Sequence, residues 1–120
     1  MHNPDKLRAA REAEDLADLI YDFTARFPRD ERFGLTAQMR KAAVSVGSNI
    51  FEGCGRRGSK TFVAFLENAS GSASELLFQA RFARRRRFGE SEMGAVVRKK
   101  LNQMWRSLSQ LIRHHEGRLS

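Results

Sequence analysis

The sequence predicts an all-α protein, an antiparallel up-down-up-down four-helix bundle, and three observations lead to this prediction. Apolar residues recur at steps of three and four over long stretches, which is the spacing of one face of a helix. The 120 residues contain only two prolines, Pro4 and Pro28, and this leaves room for long helices. No stretch sustains the apolar–polar alternation that is typical of a strand.

The first two helices are predicted over residues 5–27 and 36–53. Pro28 is expected to end the first, because a proline disfavours α geometry in the residue before it. Thr36 is the expected N-cap of the second. The glycines of GCGRRG, residues 53–58, are expected to end it in the left-handed conformation.

The last two helices are predicted over residues 60–87 and 92–115, with Ser59 and Ser91 as their N-caps. Small residues cluster at ASGSAS, residues 69–74, and the apolar spacing continues through them, which predicts a close helix crossing. In the fourth helix the apolar residues alternate steps of four and three, a heptad seam. The four helices form one domain, residues 1–120.

The composition favours a cytoplasmic protein. Its one cysteine, Cys54, has no internal disulfide partner, which fits a reducing compartment. The first 20 residues lack the apolar stretch of a signal peptide, and no run approaches the roughly 18 apolar residues of a membrane span. We therefore expect no association with a membrane.

The motifs with chemical potential favour a protein that binds and does not catalyse. GCGRRG matches G-x-G-x-x-G, but a dinucleotide site needs a strand before it, and here a helix precedes it. Cys54 has no identifiable base, and His114 and His115 point about 100° apart on a helix. We expect no catalytic residue, no cofactor and no metal site.

The charge pattern is the strongest functional signal. Residues 1–55 hold eight Lys/Arg and nine Asp/Glu, whereas residues 56–120 hold fourteen and five. Such a one-sided surface attracts polyanions, and nucleic acid, anionic lipid and an acidic protein all remain candidates beside an ordinary solvated surface. The candidate nucleic-acid-binding residues are Arg84, Arg85, Arg86, Arg87, Arg98, Lys99 and Lys100, followed by Arg56, Arg57 and Lys60.

The run Arg84–Arg87 covers every side of a helix, so some of these arginines are expected to face inward or towards another subunit. In an antiparallel pair the end of the third helix lies beside the start of the fourth, so Arg98, Lys99 and Lys100 are expected to form one basic end or flank with the run. Arg56, Arg57 and Lys60 stand at the start of the third helix, whose free N–H groups favour a phosphate.

A polar series is expected to join the second and third helices. Ser45, Asn49 and Glu52 are spaced by four and three residues and share one helix face. With Ser72 and Glu75 they predict an interhelical hydrogen-bond network, because serine and asparagine are poor choices for an exposed helix interior. The alternative is ordinary solvated polarity.

Residues 27–76 also carry a family resemblance. The positions concerned are Phe27-Pro28, Glu31, Phe33-Gly34-Leu35, Gln38, Arg40, Lys41, Ala42, Ser45, Asn49-Ile50, Glu52-Gly53, Phe62, Phe65-Leu66, Gly71-Ser72 and Glu75-Leu76. This pattern resembles the four-helix-bundle family of 23S ribosomal RNA intervening-sequence proteins, which includes the accessory variability determinant proteins of diversity-generating retroelements. The sequence departs from the family at Gly47, where proline is common, and at Ser70, where arginine is common.

The resemblance implies a homopentamer of antiparallel bundles without a catalytic site. Retroelement members of the family bind nucleic acid and a reverse transcriptase, so RNA, DNA or a reverse transcriptase are the partners it implies. It also implies a structural role for Ser45, Asn49 and Glu52, which would hold helices or subunits in register. An adaptor for an acidic protein is the alternative to nucleic-acid binding.

Overall fold

The computed structural model describes residues 1–117 and consists of four long helices without a strand in that part of the chain. The helices are α1 (Arg8–Thr24), α2 (Leu35–Cys54), α3 (Ser59–Arg86) and α4 (Ser91–Gly117). Each packs against its two neighbours, whereas the Cα atoms of the diagonal pairs α1–α3 and α2–α4 stay more than 8 Å apart. The result is an elongated four-helix bundle of 47 × 21 × 20 Å, and the predicted all-α fold is confirmed.

The core is one continuous strip of apolar side chains along the bundle axis. Alanines contribute much of it, among them Ala13, Ala43 and Ala69, all almost fully buried. Larger side chains such as Phe62 and Met104 fill the space between these close approaches. Within residues 1–117, no helix combines the length and the apolar character needed to cross a bilayer.

The predicted first helix is too long at both ends. Residues Pro4–Lys6 form a separate 3-10 turn, which Asn3 caps by accepting a hydrogen bond from the Asp5 N–H at 3.0 Å. At the other end α1 stops at Thr24, and a tighter turn carries Phe27 into contact with the Phe23 ring, with centroids 5.0 Å apart. The helix therefore ends before it reaches Pro28, because the chain turns to bury Phe27.

The predicted caps of α2 and α3 are also wrong. Thr36 lies inside α2 and is buried, and the first N–H, that of Leu35, instead donates to Glu31 Oε1 at 3.1 Å. Gly55 ends α2 with a right-handed φ of −82°, so the expected left-handed glycine is absent there. Ser59 and Ser91 are the first residues of α3 and α4 and not their N-caps, and α3 starts without a capping side chain.

The α3–α4 turn depends on a glycine. Gly89 has a φ of +78°, which favours glycine, and it packs directly against two rings of the α1 end. A Cβ on Gly89 would lie 2.5 Å from Phe23 Cε1 and 2.9 Å from Phe27 Cε1. Both the backbone conformation and the space therefore require glycine at this position.

We predict that Gly89→Ala destabilises the bundle by about 2–4 kcal/mol, as the sum of left-handed strain and overpacking. Urea unfolding followed by circular dichroism measures this difference. Gly71→Ala is the matched control, because Gly71 is helical and an added Cβ there meets nothing within 4 Å. That variant should gain up to about 1 kcal/mol. Equal stability of the two variants would contradict the packing of this turn.

Candidate nucleic-acid interface

The end of α3 determines where its arginines point. Arg87 leaves the helix in the left-handed conformation, with φ 59° and ψ 39°. The N–H of Phe88 then donates to the carbonyl of Ala83 at 2.9 Å, a bond that is typical of a Schellman helix end. Phe88 packs beside Phe27, with ring centroids 5.7 Å apart. The chain therefore reverses directly after the arginine run.

All four arginines of the run are exposed, and the prediction that some of them face inward is wrong for the chain by itself. The buried stripe of α3 ends at Ala83, and the next residue that packs is Phe88. Arg84, Arg85 and Arg86 therefore lie in the last turn of α3 and Arg87 in the turn after it, beyond the end of the core. Arg86 lies over the Phe88 ring at 5.9 Å from its centroid.

The start of α4 brings a further arginine to this place. Arg98 and Arg84 both line two adjoining clefts between α3 and α4, of about 330 and 630 Å³. Burial lowers the pKa of the Arg98 guanidinium, and the positive charge of Arg84 lowers it further. This geometry agrees with the prediction that Arg98 lies near the arginine run.

A third cleft extends the surface along α4. It has a volume of about 550 Å³ and shares Asn102 with the larger of the first two clefts. The three clefts adjoin one another through shared lining residues, and we call them together the α3–α4 groove. Its lining cations are Arg81, Arg84, Arg85, Arg87, Arg98, Lys99 and Arg106.

The positive charge of the groove is not neutralised within the described chain. Of the lining residues, Glu90 alone carries a negative charge. Across residues 1–117, none of the seven lining cations forms an ion pair with a carboxylate. Cations gathered in a concave surface focus the field and attract a polyanion. Arg86 and Lys100, two of the candidate residues, line none of the three clefts.

The second candidate patch lies at the opposite end of the bundle, in and after the α2–α3 connection. Arg56 is engaged there, because its Nη2 pairs with Glu52 Oε1 at 2.9 Å and its guanidinium lies over the Phe65 ring at 5.5 Å. Arg57 and Lys60 are exposed. The bundle is 47 Å long, so the two patches are separate surfaces.

The predicted polar network exists in part. Ser45 Oγ and Ser72 Oγ share a hydrogen bond of 2.8 Å between α2 and α3. Asn49 Nδ2 donates to the Ser45 carbonyl at 2.8 Å and to Ser45 Oγ at 3.2 Å, which joins Asn49 to the serine pair.

The two glutamates stand outside this network in the described chain. Glu52 turns to Arg56, and Glu75 accepts from Gln79 Nε2 on its own helix at 3.3 Å. Both side chains are on exposed positions, where solvent and neighbouring helical side chains compete with a reach across to another helix.

Three groove residues were not predicted from the sequence to bind nucleic acid: Asn102, Trp105 and Arg106. Trp105 is 49% exposed, although tryptophan is usually well buried. The sequence already indicated that Trp105 is exposed, because this residue falls outside the heptad seam of Leu101, Met104 and Leu108. These three seam residues are all buried.

Cys54 lies on the core side of α2 near the chain start. Its carbonyl accepts from the His2 N–H at 2.9 Å, and burial raises the pKa of its thiol, an effect that the N-terminal amino group opposes. Among residues 1–117, no group of three or more His, Cys, Asp or Glu side chains is placed to hold a metal ion.

Comparison with known proteins assigns the chain to a family. The model of the 23S rRNA-intervening sequence protein family matches residues 5–110. The chain belongs to this family. A crystal structure of a protein of unknown function from the S23 ribosomal protein family of Bacteroides thetaiotaomicron VPI-5482 is similar, with a TM-score of 0.77 and 19% identity over 87% of this chain and 97% of that one. That likeness supports the fold. No curated protein matches the chain.

We predict that Ser45 and Ser72 stabilise each other, which a double-mutant cycle of Ser45→Ala and Ser72→Ala measures in urea unfolding. The cycle removes the helix-propensity gain of each alanine and leaves the coupling, expected at about 0.5–1.5 kcal/mol. Ser48→Ala, exposed on the same helix, is the control for α2. Additive effects of the two substitutions would show that the 2.8 Å contact does not stabilise the bundle.

Proposed function

We propose that this family member is a non-catalytic nucleic-acid-binding protein that holds the phosphate backbone in the α3–α4 groove. The observation that carries the proposal is the group of seven cations that line the adjoining clefts without a carboxylate partner in the described chain. Arg84 and Arg98 stand at its centre, since each lines two of the three clefts.

The proposed mechanism is electrostatic. Arginine and lysine side chains that neutralise phosphates release condensed counterions, and this release supplies affinity that falls steeply with salt. Contacts with phosphates carry no sequence information, so such binding is broad with respect to sequence. Self-association into a homo-oligomer, pentameric as the resemblance implies, would multiply the groove and raise affinity through avidity. The proposed site of action is the cytoplasm.

A second candidate is a scaffold for an acidic protein partner, such as a reverse transcriptase. An exposed aromatic pair on α3 favours it, because aromatic side chains dominate binding energy at many protein interfaces. Phe78 and Phe82 are 68% and 43% exposed and stack with centroids 6.3 Å apart. A partner that stays bound to the protein after nuclease treatment would support this candidate.

We predict that the triple substitution Arg84→Gln, Arg85→Gln and Arg98→Gln weakens nucleic-acid binding broadly. The measurement is fluorescence anisotropy with labelled structured RNA, single-stranded RNA and duplex DNA, over about 50–300 mM salt. The slope of log affinity against log salt should flatten by about 0.7–0.9 for each phosphate that the variant no longer neutralises. Substituting all of Arg84–Arg87 by Gln should act in the same direction.

The matched control is the triple substitution Arg56→Gln, Arg57→Gln and Lys60→Gln, which removes the same charge at the other end of the bundle. This control should keep most of the affinity and of the salt slope. Unchanged binding in the groove variant would remove the groove from the proposed function, and a larger loss in the control would transfer the function to the α2–α3 end. Thermal unfolding checks that both variants fold.

A further inference from the structure

The groove contains one aromatic ring that the core does not use. Trp105 lines its α4 part together with Lys99, Asn102 and Arg106. Its neighbours on the helix, Met104 and Leu108, are buried, whereas Trp105 stays half exposed. A half-exposed tryptophan outside the heptad seam leaves a large apolar surface in water.

Most other exposed rings of the described chain are covered; Phe51, which is 39% exposed, is an exception, but it lies on α2 and lines none of the three clefts. The guanidinium of Arg40 lies over Tyr21 at 4.5 Å, and that of Arg32 over Phe33 at 4.7 Å. Phe78 and Phe82 stack on each other. Trp105 has no ring and no guanidinium against it within residues 1–117. Trp105 is 49% exposed and so leaves part of its indole accessible to a planar partner from outside the chain.

The surroundings of Trp105 fit a charged chain that carries flat groups. Arg98, Lys99 and Arg106 follow one another along α4, and about 18 Å of helix separate Gly94 at the turn from Arg106. A cationic track with an open ring beside it is the arrangement by which proteins hold single strands, with bases on the ring and phosphates on the cations. In a duplex the bases are stacked on each other and do not reach a surface ring unless they are flipped out.

We propose that the α3–α4 groove takes single-stranded nucleic acid and that Trp105 stacks on one of its bases. This inference rests on the proposed function and specifies its ligand. The phosphates lie along Arg84, Arg98 and Arg106, and the ring selects strands whose bases are free. Stacking tolerates every base because each has an aromatic face, so the preference is for the single-stranded state and not for a sequence.

The test uses the intrinsic fluorescence of the protein, because Trp105 is its single tryptophan. The full chain is titrated with an oligothymidylate of roughly 12 nucleotides and with an abasic oligomer of the same phosphate number. Stacking predicts that the thymidine oligomer quenches the indole and that the abasic oligomer binds without quenching it. Anisotropy of labelled oligomers measures both affinities independently of tryptophan.

The variants separate stacking from charge. Trp105→Leu should weaken binding of the thymidine oligomer about ten-fold, the scale of one stacked base, and leave the abasic oligomer unaffected. Trp105→Phe should keep most of the affinity because it keeps a ring. Phe51→Leu is the matched control, since Phe51 is an exposed aromatic on α2, a helix whose Cα atoms stay more than 8 Å from those of α4.

Three other outcomes would each overturn the inference, and they can be told apart. Salt-dependent binding without quenching, and unaltered in Trp105→Leu, removes stacking and leaves the proposed function standing. Absence of binding to both oligomers at low salt overturns the inference, and absence of binding to structured RNA and duplex DNA as well removes the proposed function. A change of molar mass in Trp105→Leu, measured by light scattering, assigns the ring to a contact between copies of the chain and overturns the inference.

Discussion

The packing of the α3–α4 turn on the end of α1 is the interaction on which the functional surface depends. Gly89 lies against the rings of Phe23 and Phe27, and Phe88 completes this aromatic group. Because the turn is short and its glycine has no space for a side chain, α4 begins directly beside the last turn of α3. This register places Arg98 against Arg84 and so creates the groove.

The positions of these cations in the fold reduce the electrostatic repulsion between them. Arg84, Arg85 and Arg86 stand in the last turn of α3, where the negative end of the helix dipole stabilises positive charge. Exposure to solvent reduces their mutual repulsion further. Arg98 has neither advantage to the same degree, and its lowered pKa reflects partial burial and the nearby Arg84. A bound polyanion would relieve the repulsion that remains.

Local patterns predicted the helices well, and tertiary contacts account for the errors. The predicted starts of α2, α3 and α4 are within one residue of the observed ones, whereas α1 is three residues shorter at each end. At its start Pro4–Lys6 form a separate 3-10 turn, and at its end Phe27 is buried against Phe23 and Phe88. The cap of α2 differs from the predicted Thr36 because the Glu31 carboxylate accepts the first N–H of the helix, a contact that depends on the preceding turn.

The site was predictable to the extent that charge runs are visible in a sequence. None of the arginines of the run faces the core of its own bundle, because the run lies where the helix ends, after the core stripe has finished at Ala83, and a contact with another subunit stays a prediction. The separation of Arg56 from the groove and the pairing of Glu52 with Arg56 needed the assembled bundle. The groove itself arises from the register between α3 and α4, which no spacing within one helix encodes.

The most direct measurement is arginine footprinting of the full chain, in which phenylglyoxal modification is mapped by mass spectrometry with and without single-stranded RNA. If the α3–α4 groove holds the phosphate backbone, the RNA protects Arg84, Arg85 and Arg98 and leaves Arg57, at the far end of the 47 Å bundle, as reactive as before. Protection at Arg57 without protection in the groove, or no protection anywhere at low salt, would contradict the groove as the binding surface.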